Sequence, residues 1–127
     1  MRIVVAPDSF KGSIGAAEAA TALAAGWLGA RPGDELACVP LADGGEGTLD
    51  VLASAIAAAR WHRGQVTGPG GARVAARWLE LPDGTGYIEL AQASGLPLLA
   101  ALDPLGAQTT GTGELIATRW TPASGGS

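Results

Sequence analysis

Ile3-Val4-Val5-Ala6-Pro7-Asp8-Ser9-Phe10-Lys11-Gly12-Ser13 is a short apolar run, a proline and a polar loop, followed by an alanine-rich stretch of helical periodicity. The β-branched run predicts a buried strand over residues 2–7, ended by Pro7. Ser13 is the residue type that caps a helix, and the spacing predicts one over about 14–30. Ile14, Ala17, Ala20, Ala24, Trp27 and Leu28 would form its inner face. Lys11 is the chain's lone lysine, placed at this strand-to-helix turn. An ammonium there, beside Asp8, Ser9, Gly12 and Ser13, supplies what a phosphate site needs: a tight turn, hydroxyl and N–H donors, and a compact charge. A plain βα connection with a solvated lysine has the same composition, and the loop alone does not separate the two.

The pattern then repeats. Residues 35–40 predict a second buried strand, Ala42-Asp43-Gly44-Gly45-Glu46-Gly47 a second polar loop, and Thr48 to Arg60 a second helix with Leu49, Leu52, Ala53 and Ile56 inward. The order is βαβα, the opening of a doubly wound parallel sheet of the Rossmann-like or flavodoxin-like kind. Both loops then leave the C-terminal edge of the sheet, where such sheets bind ligands. Asp8, Ser9 and Lys11 would face Asp43, Gly44, Gly45 and Glu46. Asp8, Asp43 and Glu46 are oxygen donors suited to Mg²⁺, which takes one or two protein carboxylates. They would equally serve as compensation for helix dipoles.

Beyond residue 60 the period changes. Residues 61–67 and 73–81 predict strands joined by Gly68-Pro69-Gly70-Gly71, and Tyr87 to Leu90 returns after Pro82-Asp83-Gly84-Thr85-Gly86. This antiparallel segment begins a second α/β domain. The expected division is 1–65, 66–117 and a flexible or altered tail, 118–127. Residues 91–105 predict a loop with short turns. Thr109-Thr110-Gly111-Thr112-Gly113 would open a helix from Glu114 to about Arg119, where free N–H groups near Thr112 and Gly113 could hold an anion.

Composition narrows the classes. The 127 residues carry 8 basic and 12 acidic side chains, a net charge of −4, with the arginines scattered. No basic stripe argues for nucleic acid, and no apolar stretch is long enough to span a membrane. No signal peptide is expected at the start. The single cysteine, Cys38, reads as a small buried hydrophobe, and a chain without disulfides suits the cytoplasm. One histidine, His62, and one cysteine make a zinc site improbable. His62 reads as a solvated or edge residue. There is no P-loop and no complete dinucleotide fingerprint. Glu89, beside Gln92 and Ser94, would line a polar site or close a sheet edge.

The two loops, with Gly111-Thr112-Gly113-Glu114-Leu115, Val66-Thr67-Gly68-Pro69 and Ala93-Ser94-Gly95-Leu96 between and behind them, resemble the bacterial glycerate kinase family, of the glycerate 2-kinase type, over about residues 1–117. The resemblance implies transfer of the ATP γ-phosphate to glycerate, with Mg²⁺, on a two-domain α/β fold. It implies that Lys11 binds a phosphate oxygen, that Asp43, then Asp8, serves as general base or Mg²⁺ ligand, and that Gly44 and Gly45 admit a close approach. Ser9 and Ser13 would donate, and Glu46 would join Asp43 at the metal. The family's later Gly-Gly-Ser-Ala-Thr-Asn-Asp-Gly-Gly type motif has no counterpart here, so the chain reads as an N-terminal portion. A missing C-terminal part or self-association is then expected, with glycerate and ATP as ligands. The alternatives are a non-catalytic phosphate-binding α/β module, or a receiver-type domain, which would need five βα units where two are seen.

Overall fold

The structure, a computed structural model, describes residues 1–120, with the side chains of Arg119 and Trp120 left aside; most of the expected flexible tail lies outside the described residues. The chain divides into two compact units, Met1–Ala55 and the residues from Ile56 onward.

In the first unit, β1 (Arg2–Val5), α1 (Ala16–Ala30), β2 (Glu35–Cys38) and α2 (Thr48–Ala55) follow in βαβα order. β1 and β2 pair in parallel, with Ile3 beside Leu36 and Val5 beside Cys38. Cys38 Sγ lies 3.7 Å from the Ala20 carbonyl oxygen on α1, which marks the helix-facing side of the sheet. The buried face of α1 is Ala16, Ala19, Ala20 and Ala24. This corrects the expected face in part: Ala17 is exposed, and Trp27 and Leu28 are only partly covered. Small side chains let the helix lie close on the strands, and the bulky ones turn outward. The expectation of two fully buried strands is also corrected. Val4 is 61% exposed because its side of the two-stranded sheet carries no layer within the unit, and Cys38, on the helix-facing side at the end of β2, is also exposed. Parallel sheets are ordinarily covered on both faces.

The helix ends in a polar clip. Asp34 accepts hydrogen bonds from the N-terminal ammonium (2.8 Å), Trp27 Nε1 (3.0 Å) and Arg31 Nε (2.8 Å). The ammonium, then Trp27 and Arg31, hold the Asp34 carboxyl below its ordinary range. α2 stops at Ala55 rather than at Arg60; Ala59 N–H donates to the Ile56 carbonyl in a turn before β3.

The second unit contains β3 (Arg60–Thr67), β4 (Arg73–Glu80), β5 (Gly86–Tyr87), α3 (Ala91–Ser94), a 3₁₀ turn at Leu96–Leu98 and α4 (Thr110–Trp120). The sheet order is β3-β4-β5, antiparallel, with β3 paired to β4 along its whole length. The return strand is shorter than Tyr87–Leu90. The Glu89 and Leu90 carbonyls accept N–H groups of Gln92, Ala93 and Ser94, which turns the backbone into α3. Val66, Ala76, Trp78, Ala93 and Leu115 form the core.

α4 starts at Thr110, earlier than expected. Its first turn presses on β3: a Cβ at Gly111 would collide with the Thr67 carbonyl oxygen. A side chain there is incompatible with this packing, so Gly111 serves close approach of helix to strand. Glu114 fixes the same junction, accepting from Thr67 N–H and Thr67 Oγ1, both at 2.8 Å, and from Arg73 Nη1 at 3.1 Å. These donors, the Thr67 hydroxyl first, keep the Glu114 carboxyl below its ordinary value.

Candidate functional site

The site is built on the C-terminal edge of β1 and β2. Beyond the strands the two chains stay paired: Val39 N–H donates to the Val5 carbonyl at 2.8 Å, and Leu41 N–H to the Pro7 carbonyl at 2.9 Å. Asp8-Ser9 and Ala42-Asp43 therefore leave the sheet side by side. A cleft of roughly 170 Å³ opens between the elements they lead into. Asp8 and Ser9 line it from the first loop, Glu46 and Gly47 from the second, with Gly15 and Glu18 at the start of α1 and Asp50 and Ser54 on α2. Ala16, Ala17, Pro40, Leu41 and Val51 supply its apolar surface.

Of the residues singled out in the sequence, Asp8, Ser9 and Glu46 line this cleft; Lys11, Gly12, Ser13, Asp43, Gly44 and Gly45 do not. The reason lies in the first loop. Phe10 and Ile14 form an antiparallel bridge, with Phe10 N–H to Ile14 O at 2.9 Å and Ser13 N–H to Phe10 O at 2.9 Å. Lys11-Gly12-Ser13 is the exposed tip of that turn, with Gly12 at φ 71°. Ser13 therefore does not cap α1. Gly15 holds the cap position, and its N–H donates to Glu18 Oε2 at 3.4 Å. Lys11 has no ion-pair or hydrogen-bond partner among the described residues.

The second loop is shaped by its own side chains. Asp43 Oδ1 accepts the Gly45 N–H at 3.0 Å, and Thr48 Oγ1 donates to the Gly45 carbonyl at 2.8 Å. Gly44 sits at φ 97°, the left-handed region that glycine enters without steric cost. Asp8 Oδ1 likewise accepts the Ser9 N–H, at 2.6 Å. Each carboxylate keeps a second oxygen for other work.

Sequence reading missed Glu18, Asp50 and Ser54 as cleft residues. Glu18 and Asp50 sit in the first turns of α1 and α2, the turns that follow the two loops, and that position was the available signal. Asp8, Glu18, Glu46 and Asp50 give the cleft an all-oxygen acidic character. Among the described residues no three His, Cys, Asp or Glu side chains are grouped to hold a metal by themselves. Carboxylates of this kind fit Mg²⁺ only in its usual protein mode, one or two carboxylates with the remaining positions on waters and phosphate oxygens.

In the second unit, Thr112 and Gly113 lie inside α4. Thr112 Oγ1 is 2.7 Å from Ser94 Oγ, linking α4 to α3, and Gly113 faces open space. Glu89 is 4% exposed, and its Oε1 accepts Gln92 Nε2 at 3.4 Å. His62 stacks on Trp78 (4.1 Å between ring centroids) and its Nε2 is 2.8 Å from Glu80 Oε2. Among the described residues no helix is long and apolar enough to cross a membrane.

A βαβα unit with two polar loops on one sheet edge is an α/β arrangement of the class whose ligands bind at that edge. The model of the glycerate kinase family matches residues 3–122, past Ala117 where the motif resemblance ends, and the chain belongs to that family. It is 47% identical over 119 residues to glycerate 2-kinase of Escherichia coli (strain K12), covering 91% of this chain and 31% of that protein. It is 46% identical over 119 residues to glycerate kinase of Bacillus subtilis (strain 168), with the same coverage. It superposes with a TM-score of 0.70, at 44% identity, on the crystal structure of a protein assigned as glycerate kinase 2 from Salmonella typhimurium LT2, over 94% of this chain and 33% of that one. The chain thus spans about a third of the length of these relatives.

Proposed function

We propose that this chain is the N-terminal part of an ATP-dependent glycerate kinase and supplies one wall of its phosphoryl-transfer site. The observation that carries the reading is the family match over residues 3–122, joined to a sheet edge where two polar loops run side by side. In phosphoryl transfer the protein chiefly positions reactants and neutralises charge. The exposed Lys11 ammonium is suited to a phosphate oxygen, with Gly12 and Ser13 of the same turn contributing backbone and hydroxyl donors. Asp43 would accept the glycerate hydroxyl proton or face Mg²⁺, with Asp8 the second choice for either role. Gly44 and Gly45 leave room for the ligand's approach, and Ser9 donates from the cleft wall. Glu46, with Asp43, would hold Mg²⁺, which when bound offsets phosphate charge. Thr112 and Gly113 are kept as phosphate-side candidates at the start of α4, in the second α/β portion.

The isolated chain is expected to be inactive, because it spans about a third of its relatives' length and the ATP-side glycine-rich motif is absent from it. The test is glycerate-dependent ADP formation by the chain joined to the remaining portion of a family member. Turnover that requires glycerate and Mg²⁺ supports the reading. A folded fusion that binds phosphate without turnover assigns the chain to a non-catalytic anion-binding module.

A further inference from the structure

Two of the chain's six aspartates, Asp43 and Asp83, are followed by glycine. At an aspartyl–glycine step a side-chain carboxyl closes readily on the main chain, because glycine carries no Cβ to shield its nitrogen. Both aspartates are exposed, in turns of similar form. Asp43 Oδ1 accepts the Gly45 N–H at 3.0 Å, and Asp83 Oδ1 accepts the Thr85 N–H at 2.9 Å. Gly44 sits at φ 97° and Gly84 at φ 83°.

The two steps differ at the glycine nitrogen. Gly84 N–H donates to the Leu81 carbonyl at 2.9 Å, and Leu81 N–H to the Thr85 carbonyl at 2.8 Å, which closes that turn from both sides. Gly84 is half-buried. Gly44 is exposed, and its N–H has no hydrogen-bond partner among the described residues. An amide nitrogen attacks only after giving up its proton, and a bond to a carbonyl holds that proton in place. Thr85 also keeps the Asp83 carboxyl below its ordinary range. That disfavours the neutral acid, the form that loses its hydroxyl as water.

We propose that Asp43–Gly44 is a site of spontaneous covalent modification, isomerising through a succinimide to isoaspartate, while Asp83–Gly84 is held in its original form. The Gly44 nitrogen attacks Asp43 Cγ, a C–N bond forms, and the amide proton and the carboxyl hydroxyl leave as water. Water then adds back to either ring carbonyl. Opening at the side-chain carbonyl restores aspartate. Opening at the main-chain carbonyl leaves the chain running through the β-carbon, with a free carboxylate on the α-carbon. Nothing is oxidised or reduced, and water is the co-reactant. The main chain is lengthened by a methylene, so the Asp43–Gly45 bond that shapes the turn is lost. On the reading of Asp43 given above, the event takes its carboxylate out of the phosphoryl-transfer loop; the chemistry itself does not rest on that reading.

The test incubates the folded 127-residue chain at neutral pH and counts isoaspartate by enzymatic methyl transfer from labelled S-adenosylmethionine, with fragmentation mass spectrometry to place it. Asp43 should accumulate isoaspartate at least about tenfold faster than Asp83, the scale of one amide hydrogen bond that must first be broken. In urea, which releases both turns, the two rates should converge. D43E keeps the charge but needs a larger ring, and should lose most of the methyl-accepting signal. Equal rates in the folded chain, or isoaspartate confined to Asp83, overturn the proposal. So does a D43E variant that accepts methyl groups as fast as the parent. A difference that persists in urea assigns it to neighbouring sequence and overturns the part given to the fold.

Discussion

Leu41 N–H donates to the Pro7 carbonyl oxygen at 2.9 Å, two residues past Val5 and three past Cys38, the last paired residues of β1 and β2. This bond carries the parallel pairing past the strands and brings two loops, far apart in sequence, out of the sheet together. The cleft lined by Asp8, Ser9 and Glu46 follows from it.

Gly111 and Gly113 make opposite predictions. G111A forces a methyl group into the Thr67 carbonyl and should cost about 1–3 kcal/mol, as overpacking does. G113A meets nothing within 4 Å and should gain about 0.5–1 kcal/mol of helix stability. Urea unfolding of the two variants checks both signs.

Gly44 should resist replacement for a different reason. Space around it is open, but its φ of 97° disfavours a side chain, so G44A should lose about 1 kcal/mol. Equal midpoints for G44A and the parent in denaturant would remove the conformational argument for this loop.

Glu114 gives a pH dependence with a definite sign. Its folded-state pKa is lowered from the ordinary 4.5, by Thr67 first and then Arg73. The stabilisation is present above 4.5 and is lost as pH falls through the depressed folded value. Thermal melts from pH 7 downward should show E114Q closing its stability gap to the parent in that acid range. A gap that stays constant down to pH 2 would contradict the assignment.

The uncovered side of the first unit predicts self-association of the chain on its own. Val4, Val39 and Leu41 are 61%, 45% and 48% exposed, and the two-stranded parallel sheet has open edges. Size-exclusion chromatography of the 127-residue chain should give a species larger than a monomer, and a sharp monomer peak would argue against it.

The βαβα order and the two loops were legible because apolar runs, polar loops and helical spacing alternate clearly through residue 55. Details failed where composition is uniform or a local bridge intervenes. Alanine at 16, 17, 19 and 20 carries little directional information, so the buried face of α1 was set partly wrong. Ser13 has the chemistry of a cap, yet the Phe10–Ile14 bridge holds it in a turn before the helix. The Thr109–Gly113 stretch reads as a helix entry with free N–H groups, whereas the packing of Gly111 on Thr67 is a long-range contact that no local pattern announces. Glu18 and Asp50 lie in the first turns of their helices, where acids ordinarily compensate the helix dipole, and only the fold turns them toward the cleft.

The central claim is that the Lys11 loop and the Asp43 loop act together in phosphoryl transfer. The most direct measurement is single-turnover glycerate-dependent ADP formation by the chain joined to the rest of a family member, comparing K11M, D43N and the double variant. Each single change should slow the reaction more than about tenfold, equivalent to at least about 1.4 kcal/mol. The double variant should lose less than the product of the two, as groups acting as a unit do. Both single variants turning over at the parent rate, with folding intact, would contradict the account.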